Sequence, residues 1–132
     1  MPKSRQATFK AAVEVSREWE GNKVAAEIVG KLKKKTPNPK LILLFSTIHY
    51  KDEFKEILGG ITNAFPNVPL IGGTFVGFMT SEGCFTRGFS ALAIDYPNMD
   101  VAVGVGHETK KNPESAAEDC AKMIKKGLIN SK

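Results

Sequence analysis

Cysteine is scarce. The 132 residues hold only Cys84 and Cys120, too few for a disulfide framework and too far apart to read as a metal motif. That usage points to a reduced, cytoplasmic protein. The two histidines, His49 and His107, show no ligand spacing with carboxylates or thiols, so neither a metal nor another cofactor is expected. Long apolar runs are missing as well. The longest, Leu41 to Phe45, is the size of a strand and far short of the ~20 residues that a membrane span requires. The N-terminus, MPKSRQATFK, is basic but has no apolar segment, which argues against a secretory leader. Arginine is also rare: Arg5, Arg17 and Arg87 are the only planar, bidentate donors among nineteen cations.

What is present is the balance of a soluble globular chain, with 42% apolar and 25% charged residues, and a length that fits one domain over 1–132. The net charge of +5 is unevenly distributed. Residues 1–40 carry ten basic and four acidic groups, residues 41–108 three and seven, and residues 109–132 six and three. Lysine on helices usually serves solubility. Lys31, Lys33, Lys34, Lys35, Lys125 and Lys126 lack the interleaved aromatics of a nucleic-acid surface, so no specific nucleic-acid partner is expected.

The hydrophobic pattern predicts the order βαβαβββα, an α/β (α+β) chain with five strands in one mixed sheet and three helices. Thr8 to Ser16 alternates as a strand, with Phe9, Ala11, Val13 and Val15 on one face. Asn22 resembles a helix N-cap, followed by Val24, Ala25, Ile28, Val29 and Leu32 at helical spacing until Pro37 and Pro39 stop the run. Leu41 to Ser46 is continuously apolar, as a central strand covered on both faces would be. A second helix is expected over Lys51 to Phe65. Strands follow at Pro69 to Thr74, Phe85 to Ile94 and Met99 to Gly106, with a turn at Ser81-Glu82-Gly83. Asn112-Pro113 opens the last helix, with Ala117, Cys120, Ala121, Ile124 and Leu128 as its core stripe. Right-handed crossovers would make the first three strands parallel, and the last three would form an antiparallel meander. The small or polar faces of the first and fifth strands (Ala12 with Glu14; Ala102, Gly104 and Gly106) would then need water or a partner, so a homo-oligomer is expected.

Ligands of open parallel sheets bind beyond the carboxyl ends of the strands. There the second strand ends in Ser46-Thr47-Ile48-His49 and the third in Gly72-Gly73-Thr74. Hydroxyls, an imidazole and backbone N–H groups bared by glycine suit a small carboxylate, although paired glycines also serve close packing. IGGTFVG lacks the lysine and spacing of a phosphate loop. Nucleophilic catalysis by Cys84 or Ser46 with His49 or His107 has no supporting motif, so an enzyme is the lesser reading. Arg87, within a strand, is either a countercharge for a ligand or a structural group paired with Glu82. Trp19 is read as an anchor where the first helix begins.

LILLFST, a helix, then VPLIGGTFVGFMTSEG and RGFSALAID resemble the N-terminal part of the FIST sensory domain, on Phe45-Ser46 and on Gly72-Gly73-Thr74 with Gly77. AAEIVGKL and VAVGVGHE fit the same arrangement, extending the resemblance over about residues 8 to 128. The resemblance implies a non-enzymatic module that senses small ligands, amino acids being the suggested class. It further implies an output through a separate partner or self-assembly. The ligand-binding residues expected are Ser46, Thr47, His49, Gly72, Gly73, Thr74 and Arg87, with no membrane partner.

Overall fold

A computed structural model describes residues 8–128 of the chain; the basic N-terminal stretch in which a leader was sought, residues 1–7, lies outside the described residues. The chain divides into two compact units, Met1–Pro97 and Asn98–Lys132.

In the first unit, the strands β1 (Lys10–Ser16), β2 (Leu41–Thr47), β3 (Leu70–Phe75) and β6 (Phe89–Asp95) form one sheet in the order β1-β6-β2-β3. A short hairpin, β4 (Phe78–Thr80) with β5 (Gly83–Phe85), stands apart from it. The mixed α/β class agrees with the sequence, and β1, β2 and β3 do share one direction, since β6 is antiparallel to both β1 and β2. The arrangement within that class is a sheet of four strands plus a pair, not a sheet of five. The expected strand over Phe85 to Ile94 is broken at Arg87-Gly88, and its longer half inserts between β1 and β2 where a meander would have left them adjacent. Small side chains favour this place: Ala91 and Ala93 are fully buried in the middle of the sheet and leave room for the helices above.

The register defines what lies on each face. Ala12, Ala93, Ile42 and Leu70 form one row, Glu14, Ala91, Leu44 and Gly72 the next, and Ser16, Phe89, Ser46 and Thr74 the last. Over this face lie α1 (Gly21–Lys35) and α2 (Phe54–Ala64), contributing Val24, Ile28, Leu32, Ile57 and Ile61 to a single core. The inward and outward sets of β1 are therefore the reverse of the apolar alternation. Ala12, Glu14 and Ser16 are buried with Val15, while Phe9 and Val13 are exposed. Polar residues are tolerated inward because α1 supplies their partners. Lys35 pairs with Glu14, and the Ser16 hydroxyl donates to Glu27, which also pairs with Lys31 at 2.7 Å. Burial would raise the Glu27 carboxyl, but the hydrogen bonds from Lys31 and Ser16 outweigh it and hold the group below its ordinary value.

Helix α1 starts at Gly21, one residue before Asn22, with Glu20 in the N-cap position. The carboxylate of Glu53 accepts the Gly21 N–H at 2.7 Å and takes over an end that a local cap would otherwise satisfy. The second helix is likewise shorter than its pattern: Ile48–Tyr50 form one 3₁₀ turn that carries Tyr50 into the core before α2 begins.

In the second unit, α3 (Pro113–Gly127) begins as expected, with Asn112 accepting the Ser115 N–H at 3.1 Å and Pro113 in the first turn. Met99 to Gly106 joins no ladder among the described residues, because alternation can keep a chain drawn out but a strand needs a neighbour. It runs antiparallel along α3 instead. A β-carbon on Gly104 would meet the Cys120 carbonyl at 2.4 Å, one on Gly106 the Ala116 carbonyl at 2.3 Å, and one on Gly127 the Ala102 side chain at 2.8 Å. Ala116 is the buried residue of this helix, whereas Ala117 and Ala121 of the expected stripe are exposed. The small faces of the first and fifth strands are thus filled within the chain by helices and do not require a partner.

Candidate functional site

The carboxyl ends of β2 and β3 do meet. Phe45 lies opposite Gly73, Ser46 opposite Thr74, and Thr47 opposite Phe75. Yet alternation divides the expected site residues between two faces. Ser46, Gly72 and Thr74 are on the helix-covered face, while Thr47 and Gly73 are on the other, where Phe45 and Phe75 pack with ring centroids 5.5 Å apart.

Ser46 and Thr47 are buried and engaged within the protein. The Ser46 hydroxyl donates to the Thr47 carbonyl at 3.0 Å. Thr47 ties β2 to the start of β6: its N–H donates to the Gly88 carbonyl at 3.1 Å, and the Gly88 N–H donates to its hydroxyl at 3.2 Å. The exposed His49 places Nδ1 3.1 Å from the same hydroxyl. The Ser46 hydroxyl and the His49 ring bond to different groups of Thr47, its carbonyl and its hydroxyl, and not to each other. Cys84 is exposed on β5 rather than a small hydrophobe inside the fold, and no group of three or more metal-ligating side chains occurs among the described residues.

On β3 the bond from the Ile42 N–H to the Pro69 carbonyl, 3.0 Å, sets the parity of the parallel ladder. Backbone groups of Ile71, Gly73 and Phe75 face β2, and those of Leu70, Gly72 and Thr74 face away from the sheet. Of the two expected glycine donors, Gly72 is therefore the one that points outward, and Thr74 joins it. Gly72 has a second role. A β-carbon there would meet the Leu44 carbonyl at 2.1 Å, so the strand lies this close to β2 only because position 72 is glycine.

Arg87 is half-buried where β6 begins, and its partners differ from the expected Glu82. Nη1 donates to the Arg17 carbonyl at 2.9 Å and to the Tyr50 hydroxyl at 3.3 Å, and the guanidinium lies 3.9 Å from the centroid of the Trp19 ring. The Glu27 hydrogen bond holds the Lys31 ammonium above its usual value against the opposing effect of burial, and the Glu82 charge adds a small further push in the same direction. Burial pushes the Tyr50 phenol upward, with the Arg87 charge and hydrogen bond pulling the other way. The guanidinium has five N–H donors and spends Nη1 on these contacts, which leaves capacity for an anion. Sequence reasoning missed Tyr50 as a partner; the signal was an aromatic side chain next to His49, just past a buried strand. By strand spacing, Phe89 at the start of β6 and Thr74 on β3 are two strands apart, roughly 10 Å, and Arg87 lies two residues before Phe89.

The lysines of α1 are largely committed. Lys31 and Lys35 pair with Glu27 and Glu14, and Lys33 lies over the Phe65 ring at 5.8 Å. No helix among the described residues is long and apolar enough to cross a membrane.

Fold and rim together define a mixed-sheet α/β module with backbone donors and a basic group at the strand ends. Its residues 40–131 match the family model of the FIST N domain, and the chain belongs to that family of sensory domains. The match takes in β2 through α3 and begins after β1 and α1. No curated protein and no solved structure matches the chain.

Proposed function

We propose that this domain senses a small carboxylate, an amino acid or organic acid, at the rim formed by the ends of β2 and β3, and passes the signal to a separate partner. The observation that carries the reading is the parallel pairing of Ser46 with Thr74, which supports a rim with open donors next to it. Gly72 and Thr74 offer outward N–H groups, and the Thr74 hydroxyl and the free nitrogen of the His49 ring add two more polar contacts. Ser46, Thr47 and Gly73 shape this rim without touching the ligand. Arg87, two residues before β6 and across β2 from Thr74, serves the far end of a longer ligand such as a dicarboxylate or an amino acid with a polar tail.

A thermal-shift screen against amino acids and small organic acids tests the reading. A true ligand at a hundred times its dissociation constant stabilises the fold by about 2.7 kcal/mol, and Thr74→Val weakens that response while the unliganded midpoint holds. A panel that leaves the midpoint unmoved rejects the proposal. An interaction subunit that self-associates is the second reading, favoured by Val13 and Ile71, which remain exposed on the face opposite the helices.

A further inference from the structure

Among the described residues β3 pairs with β2 alone, and its outer edge carries none of the usual guards. Edge strands of soluble proteins are commonly protected by lysine, proline, a bulge or an inward charge. Here the chain carries no charged residue from Ile57 to Ser81, although a quarter of all its residues are charged. The strand LIGGTF lies in the middle of that stretch, and apart from Leu70 its residues are exposed. Large apolar side chains gather on it and just after it: Ile71 and Phe75 are near half exposure, while Val76 and Met79 are 97% and 79% exposed.

We infer that β3 pairs edge to edge with β3 of a second copy, antiparallel and centred on Gly72. Three observations converge on this occupant. The outward backbone groups belong to Leu70, Gly72 and Thr74, a set that is symmetric about its middle member. A two-fold axis at Gly72 therefore brings Gly72 opposite Gly72 and Leu70 opposite Thr74, each pair exchanging N–H···O=C bonds. In the same register Ile71 of each copy lies opposite Gly73 of the other as a close, non-hydrogen-bonded pair. A β-carbon at Gly73 would meet no backbone, only the Phe75 ring at 3.4 Å, so the incoming isoleucine would pack against that ring over the glycine. Charge supplies the third argument. Two copies at +5 repel each other, and the contact falls in the longest uncharged part of the chain.

The inference deepens the interaction reading by naming its surface and partner, and it stands apart from the ligand reading. Pairing uses the Gly72 and Thr74 N–H groups that the ligand would use, so the test is made in ligand-free protein. Sedimentation velocity from micromolar to near-millimolar protein is expected to show the 14.4 kDa chain doubling in mass. Over the same range, residue-resolved amide exchange is expected to slow at least about tenfold at Leu70, Gly72 and Thr74. Ile71, Gly73 and Phe75, which face β2, keep constant rates. Ile71→Lys, at an exposed position, is expected to shift the mass towards one copy with an unchanged circular dichroism spectrum. A single copy at every concentration overturns the inference. So does a dimer in which those three amides exchange unchanged, or one that Ile71→Lys leaves intact; either would favour association through a sheet face instead. Protection of Gly72 and Thr74 in the single copy, at any concentration, also overturns it, since the chain would then cover its own edge.

Discussion

β2 has two neighbours of opposite character. On one side β6 is almost wholly buried, with Phe89, Ser90, Ala91 and Ala93 enclosed between β1, β2 and the helices. On the other, β3 makes a full parallel register with β2 yet leaves nearly every residue open to solvent. A ladder of hydrogen bonds is common to both sides. Burial is what separates them: β6 anchors the fold, while β3 keeps its outer backbone groups and apolar side chains at the surface.

The largest expected effect contrasts two phenylalanines. Phe89→Ala empties a fully buried site against Tyr50 and is expected to lower stability by about 3 to 5 kcal/mol. Phe75→Ala, half-exposed, is expected to cost less than about 1 kcal/mol. Urea denaturation of both measures the contrast, and equal losses would break it. Two glycines give the next effect. Gly72→Ala drives a methyl into the Leu44 carbonyl and is expected to cost about 1 to 3 kcal/mol. Gly73→Ala, one residue on, meets only a ring edge and is expected to change stability by less than about 0.5 kcal/mol.

The smallest effect belongs to the β6 end of the rim. Tyr50→Phe removes the hydroxyl that accepts from Arg87, with an expected loss of about 1 kcal/mol near neutral pH. The phenol is raised in the fold, chiefly by burial, so the native state holds its proton more tightly than the unfolded chain. Its contribution is complete below the ordinary tyrosine value and is lost as pH rises through the raised one. Wild type is therefore expected to weaken more steeply than Tyr50→Phe under alkaline conditions, as measured by denaturation across that range.

Legibility in the sequence followed the same division. LILLFS was legible as an internal strand from its length and unbroken apolar run, although it is covered fully on the helix face only, with Leu41, Leu43 and Phe45 half-buried on the other. Asn112-Pro113 set the start of α3 because cap and proline act locally. β1 was read with its faces reversed, since the residues that satisfy Glu14 and Ser16 come from α1 and are distant in sequence. The segment from Met99 to Gly106 has the alternation of a strand, but membership of a sheet depends on a neighbour that alternation does not encode. At the rim, the meeting of Ser46 with Thr74 was legible from strand order. The capture of Arg87 by Arg17, Tyr50 and Trp19 was not, because it requires three segments to converge.

Trp19 is the chain's only tryptophan, and it lies largely in water beneath the Arg87 guanidinium. A cation held against an indole alters the field around it, and any event that lifts that cation away restores plain solvent. The protein thus contains its own optical reporter. Emission from this native fluorophore is expected to report any displacement of Arg87, with no dye attached and no residue replaced.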